Sequence, residues 1–353
     1  MKKIFSKAVL LTLFLIVLLA YPTFVVSADK SMKIIFGFWE PPVSQFAPAM
    51  KAWAKEMEER TNGKVKVEIS WGGALGKPGE FLQLVEKGIV DMGMMVASFD
   101  GPGQFPMMEI IELPFVIPKA VFSTEALSRL YDKGLLDKKL DEVVVVNFVS
   151  GQGDPLFTKD KPVTTLQDVK GMKILATGPI AQHKVKLLGA IPVGLPIPEI
   201  YSALSKGIID GYLFGYNGMA VMRFNEVTKY ATFPATGTIG SAIIMNKKTF
   251  NKLPPEGQAM IQETRKKYSI AYGQGWDNIC EKGRDLFLKS GGKEITWTPD
   301  SLEEINEIEA QIWDKWIADK EKMGLPAREA INFLYNFLKE RGVEPPAIGY
   351  SLE

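Results

Sequence analysis

The chain has 353 residues, with 42 basic and 41 acidic side chains, one histidine and one cysteine. This near-neutral balance leaves no basic field for nucleic acid. A single histidine and a single cysteine exclude an internal disulfide, a Cys/His zinc site and Cys–His nucleophilic chemistry.

The first 28 residues read as a cleavable signal peptide. Lys2, Lys3 and Lys7 form a positive start, residues 8–20 are apolar apart from Thr12, and Val26-Ser27-Ala28 is a small-residue cleavage site. An uncleaved membrane anchor is the competing reading. Removing three lysines and no acid takes the formal charge from +1 to −2. The remaining length suits two domains.

The mature chain opens with a strand over residues 32–38, broken by Trp39-Glu40-Pro41-Pro42. Phe46, Met50, Trp53, Ala54 and Met57 fall at helical spacing, and Thr61-Asn62-Gly63 closes that helix. Residues 64–71 alternate apolar and polar side chains as a half-buried strand does. A short helix over 80–87 and a strand over 89–97 complete a β-α-β-α-β unit. Further on come a helix over 120–131 and a buried strand over 143–149. A second β-α-β-α-β run then occupies residues 161–217. Both units contain a helix followed by Gly-Ile-(Val/Ile)-Asp, at Gly88 to Asp91 and at Gly207 to Asp210. Strands alternating with helices imply parallel sheets, hence two α/β lobes of like construction. Residues 236–245 read as a strand, and a helical pattern runs from Pro254 to about Lys289. Its glycines 273, 275 and 283 imply a bend or a close contact. A strand at 294–297 and final helices follow.

No catalytic or phosphate-binding motif is present. Asp91 and Asp210 each follow a helix stop, where turn hydrogen bonding is the ordinary role. Ligands in such sheets bind beyond the carboxyl ends of the strands. Aromatic residues gather there: Phe38 and Trp39, Trp71, Phe99, Phe214 and Tyr216. The candidate wall of a small-molecule cleft is therefore Phe38, Trp39, Phe99, Leu175, Phe214 and Tyr216. The candidate polar groups are Glu40, Ser98, Gln152, Asp154, Thr177 and Asn217. No catalytic residue, metal site or cofactor is expected.

The chain resembles the DctP-type solute-binding proteins of tripartite ATP-independent periplasmic (TRAP) transporters. The likeness is carried by Val85-Glu86-Lys87-Gly88-Ile89-Val90-Asp91-Met92, Leu113-Pro114-Phe115 and Leu166-Gln167-Asp168-Val169-Lys170-Gly171-Met172-Lys173-Ile174. Glu199-Ile200-Tyr201-Ser202-Ala203-Leu204-Ser205-Lys206-Gly207-Ile208-Ile209-Asp210-Gly211 and Leu253-Pro254-Pro255-Glu256 extend it over nearly all the mature chain. The resemblance implies an α/β, two-lobed periplasmic binding protein fold with a long helix crossing both lobes. It implies a first lobe of 29–152 plus about 241–281, and a second of 153–240 plus about 282–353. It also implies a monomeric periplasmic receptor that closes on a ligand and docks on integral membrane subunits. At two positions the chain departs from acid-binding members. Their carboxylate-clamping arginine falls at Leu175, and their ligand-binding asparagine at Phe214. An apolar, aromatic or neutral ligand is expected. The alternatives are a carboxylate held by Arg223 or a lysine, and a cation held by Trp39 with Glu40 or Asp154. A ligand sensor and an exported enzyme on the same fold are the alternative classes.

Overall fold

The computed structural model describes residues 31–100, 103–196 and 199–343; the expected signal peptide lies outside them. The elements begin with β1 (Met32–Gly37), α1 (Ala47–Arg60), β2 (Val65–Ser70), α2 (Phe81–Glu86), β3 (Met92–Val96), α3 (Ala120–Asp132) and β4 (Val144–Ser150). The middle of the chain supplies β5 (Leu156–Thr158), α4 (Leu166–Val169), β6 (Lys173–Leu175), α5 (Pro179–Leu187), β7 (Ile191–Val193), α6 (Ile200–Ser205), β8 (Gly211–Leu213), α7 (Asn217–Met222) and β9 (Tyr230–Phe233). It ends with β10 (Gly240–Met245), α8 (Lys247–Lys252), α9 (Pro255–Lys289), β11 (Lys293–Thr296), α10 (Pro299–Lys322) and α11 (Ala327–Lys339).

Two sheets form the two lobes. The first has the order β2-β1-β3-β10-β4 and the second β11-β9-β5-β8-β6-β7. Neither is wholly parallel, which corrects the sequence expectation. In the first, β10 runs antiparallel to β3 and β4. In the second, β5 runs antiparallel to β8 and β9. The cause is the crossing between lobes. β4 and β9 deliver the chain to the carboxyl edge of their sheets. The strand that follows each, β5 or β10, starts at that edge in the other sheet and runs away from it.

The repeated aspartates set the register of both lobes. Asp91 N–H donates to the Ile35 carbonyl at 3.1 Å, and its Oδ2 accepts Ile35 N–H at 2.8 Å. Asp210 N–H donates to the Lys173 carbonyl at 2.8 Å, and its Oδ2 accepts Lys173 N–H at 2.8 Å. Each aspartate thus extends a parallel ladder by one rung with its own side chain. This satisfies amides that the turn would leave unpaired. The preceding isoleucines, Ile89 and Ile208, stay exposed, so both strands start later than their apolar runs suggest.

Helix α9 spans 35 residues, about 52 Å at 1.5 Å per residue. Its first half buries Met260, Ile261, Tyr268 and Tyr272 against the first sheet and α1. Its second half buries Cys280 and Phe287 in the second lobe. The interior glycines are close contacts. A Cβ on Gly273 would stand 2.7 Å from the Val121 Cα, and one on Gly283 only 1.9 Å from the Tyr216 carbonyl oxygen. A second helix also joins the lobes. Ile305 of α10 belongs to the core beneath β6, whereas Trp313 and Trp316 pack with Phe115 and Leu127 of the first lobe. Helix α11, expected in the second lobe, buries Ala330, Leu334 and Phe337 in that same first-lobe core. Its apolar face complements α3, not the second sheet.

Replacing Gly283 by alanine tests the contact. Helix propensity alone predicts a gain of about 1 kcal/mol, whereas the clash with backbone predicts a net loss of about 1–3 kcal/mol. Urea unfolding is expected to show the loss, and a raised midpoint would refute the close packing.

Candidate functional site

Between the two sheets lies a cavity of about 370 Å3. Its first-lobe wall is Trp39, Phe46, Met94, Val96 and Phe99. Its second-lobe wall is Phe214, Gly215, Gly218, Val221 and Met222, and Trp276 of α9 closes it between them. Polar atoms come from Glu40, Gln45, Asp154, Thr177, Asn217 and Thr238. No lysine or arginine is among the described residues that line it.

The expected residues divide between the cavity and the cores behind it. Beyond β1, Phe38 points into the core and Trp39 into the cleft. Phe38 is fully buried, stacked on Trp39 at 5.1 Å and edge-on to Phe46 and Trp71. It therefore supports the aromatic wall instead of forming its surface. Beyond β6, Leu175 is wholly buried in the second-lobe core, while Thr177 lines the cavity. Beyond β8, Phe214 lines the cavity, but Tyr216 turns away and its hydroxyl donates to Glu294 Oε1 at 2.6 Å. Ser98 lies behind the wall beside Gly178. Gln152 joins Tyr216 on a separate, wider groove of about 800 Å3. Three of the charged groups in that groove have partners. Arg284 donates to both oxygens of Glu294, and Asp277 accepts the Ala120 and Val121 amides that open α3. Of the twelve expected residues, Trp39, Glu40, Phe99, Asp154, Thr177, Phe214 and Asn217 line the cleft. Phe38, Ser98, Gln152, Leu175 and Tyr216 do not.

The acids of the cleft are unusual. Burial pushes Asp154 up to about 7, although Lys184 pulls it back. Burial also raises Glu40, partly offset by the Ser44 hydroxyl. Behind Asp154 a small pocket is lined by Glu112, Thr177, Lys184 and Thr236. Burial, reinforced by the Glu109 carboxylate, pushes Glu112 up to about 8. The Lys184 ammonium lies 2.6 Å from Glu309 Oε1 and also donates to the Thr236 hydroxyl. Arg223 is exposed and paired with Glu226, outside the cavity. Cys280 is inert, with burial pushing its thiol up to about 12.

Comparison with known proteins identifies the family. Residues 37–320 match the bacterial extracellular solute-binding protein family 7, DctP. The chain belongs to this family. A DctP-family relative, the C4-dicarboxylate-binding periplasmic protein DctP of Rhodobacter capsulatus, is 27% identical over 212 residues, 58% of this chain and 62% of its own. The ectoine-binding periplasmic protein TeaA of Halomonas elongata is 23% identical over 285 residues, 77% of this chain and 80% of its own. Among solved structures, a marine metagenome TRAP solute-binding protein specific for aromatic acid ligands superposes with a TM-score of 0.80 at 27% identity. That match covers 88% of this chain and 99% of that one.

Within this DctP-family receptor, Phe46, Met94, Val96, Thr238 and Trp276 complete the cleft without having been singled out from sequence. Phe46 and Trp276 read as apolar helix positions. The one available signal was the glycine pair 273 and 275, which marks where α9 passes close to other backbone and brings Trp276 to the cavity.

The raised acids give the DctP-family fold a pH dependence with a definite sign. Glu112 holds a proton in the folded state that the unfolded chain releases above 4.5. Its contribution to stability therefore falls as pH rises from about 4.5 to about 8. Glu112→Gln removes the titration. Thermal melts are expected to show the variant gaining on the parent progressively across that window. Parallel curves for the two proteins would contradict the assignment.

Proposed function

We propose that this protein is the periplasmic receptor of a TRAP transporter, exported on a cleaved signal peptide and acting as a monomer without enzymatic turnover. It captures an aromatic or otherwise apolar solute that lacks a carboxylate, closes its lobes around it and presents it to the integral membrane subunits. Closure draws on contacts made from both lobes at once, and Trp39 and Phe214 stand on opposite walls for that purpose.

The observation that carries this reading is the cavity lining: five aromatic rings, two carboxylates and no lysine or arginine among the described lining residues. A small-molecule site is mostly apolar with few polar anchors, and this one fits an aromatic body. The 27% identical relative specific for aromatic acid ligands supports the aromatic part. The acid part is not supported. A carboxylate buried beside Glu40 and Asp154 loses hydration without gaining an ion pair, a penalty of several kcal/mol. Lys184, the nearest cation to Asp154, is already held by Glu309 and Thr236.

A thermal-shift series tests the reading. Indole and benzyl alcohol are expected to stabilise the receptor, by about 2.7 kcal/mol at roughly a hundred times the dissociation constant. Benzoate and succinate are expected to leave the melting temperature unchanged. Stabilisation by either acid beyond that by the uncharged compounds would overturn it. Uptake into vesicles bearing the membrane subunits, dependent on added receptor, tests delivery.

A further inference from the structure

The cleft holds a specific combination of groups that narrows its ligand beyond "aromatic and not an acid". Two carboxylates, Glu40 from the lip of the first lobe and Asp154 from the crossing between lobes, face one cavity. Asn217 adds a third acceptor. It is nine-tenths buried, it lines the cavity, and its Oδ1 has no hydrogen-bond partner. Gly215 places the last two together: the position of a Cβ on Gly215 is 2.6 Å from Asn217 Oδ1 and 3.6 Å from Asp154 Oδ1. A side chain there would fill the space between them, so the glycine leaves that space open beside both acceptors.

The donors in the lining carry no formal charge: they are the Gln45 and Asn217 amides, the Thr177 and Thr238 hydroxyls and the Trp276 indole N–H, which has no hydrogen-bond partner. Lys184 faces Asp154 from behind but is bound to Glu309 and Thr236. Glu112 keeps its proton up to about 8 and Glu309 is matched by Lys184, so neither adds net charge there, and the front of Asp154 faces a lining without a cation among the described residues. The aromatic faces of Trp39, Phe99, Phe214 and Trp276 add the negative side of their quadrupoles to the same space.

We propose that the solute is a cationic amine, its ammonium seated between Glu40, Asp154 and Asn217 Oδ1 and its apolar body against the aromatic wall. This rests on the receptor reading above and narrows its ligand class. Burial raises both carboxylates, offset in part by the Ser44 hydroxyl at Glu40 and by Lys184 at Asp154, and an incoming ammonium draws them further back toward ionisation. Complementarity of this kind also excludes acids of the same shape, since a carboxylate meets two like charges and an unpaired acceptor.

Three probes with one ring and one two-carbon arm or its acid counterpart decide the matter: phenethylamine, phenethyl alcohol and phenylacetate, each at low-millimolar concentration with the mature protein. The amine is expected to raise the melting temperature most and to titrate by calorimetry. Glu40→Gln and Asp154→Asn, each close in shape to the parent and each removing a charge that burial disfavours, are expected to weaken amine binding about ten- to hundredfold. No shift with the amine, or an alcohol that binds as tightly as the amine, overturns the cationic ligand. The second of these leaves the receptor for uncharged aromatic solutes standing. Stabilisation by phenylacetate alone overturns both.

Discussion

The geometry of the cleft depends on how closely α9 approaches the backbone of both lobes. At Gly273 the helix lies against Val121 at the start of α3, and at Gly283 it lies against the carbonyl of Tyr216. A glycine in a helix interior ordinarily costs about 1 kcal/mol relative to alanine. Here that cost is offset by contacts no other residue permits. Trp276 sits between these two contacts and reaches the cavity that the lobes share. A helix held this tightly at both ends acts as a spine. The chain also crosses between the lobes near Gly153 and Gly237, whose amides donate to the Ile117 and Phe115 carbonyls respectively. Helix α10 supplies a second link, burying Ile305 in one lobe and Trp313 in the other.

The two lobes share more than an element order. Asp91 and Asp210 do the same job, each exchanging a main-chain and a side-chain hydrogen bond with one residue of the neighbouring strand. Carboxylates used in this way are not available for chemistry, in keeping with a receptor that holds a ligand without transforming it. The repeat also sets where the carboxyl ends of the strands fall. It thereby places Trp39 and Val96 on one side of the cleft and Thr177 and Phe214 on the other.

Much of this was legible in the sequence, and the limits have physical causes. Helix and strand periods located most of the longer elements but not the short β5, α4, α7 and α8, and the glycine stops located the turns. The antiparallel β5 and β10 were not legible, because strand direction depends on where the chain changes lobes and local pattern carries no record of that. The topological rule found the correct edge of each sheet, yet it could not tell neighbours apart. Phe38 and Trp39 are adjacent and both aromatic, but the pleat sends one to the core and the other to the cavity. Leu175 is a different case: it is the last residue of β6 and buried, whereas Thr177 lies beyond the strand end, where strand alternation no longer applies. Glu112 was invisible as a site residue, since nothing in its local sequence announces that it will stand behind Asp154.

The charge balance of the cleft is one-sided, and Leu175, buried in the second-lobe core, contributes nothing to it. In this chain the cationic side of that balance is absent from the cavity, while Glu40 and Asp154 remain in it. Two acids in an apolar cavity without a counter-charge destabilise the empty receptor relative to one with neutral groups there. Lys184 relieves Asp154 only in part, because Glu309 and Thr236 hold its ammonium on the far side. A structural role would favour Asn and Gln at these positions, which keep the shape without the desolvation. A ligand that enters the cleft and makes use of their charge would offset that desolvation. The interactions absent from the empty cavity are the ones a ligand must supply, and they define its chemistry better than the contacts already satisfied.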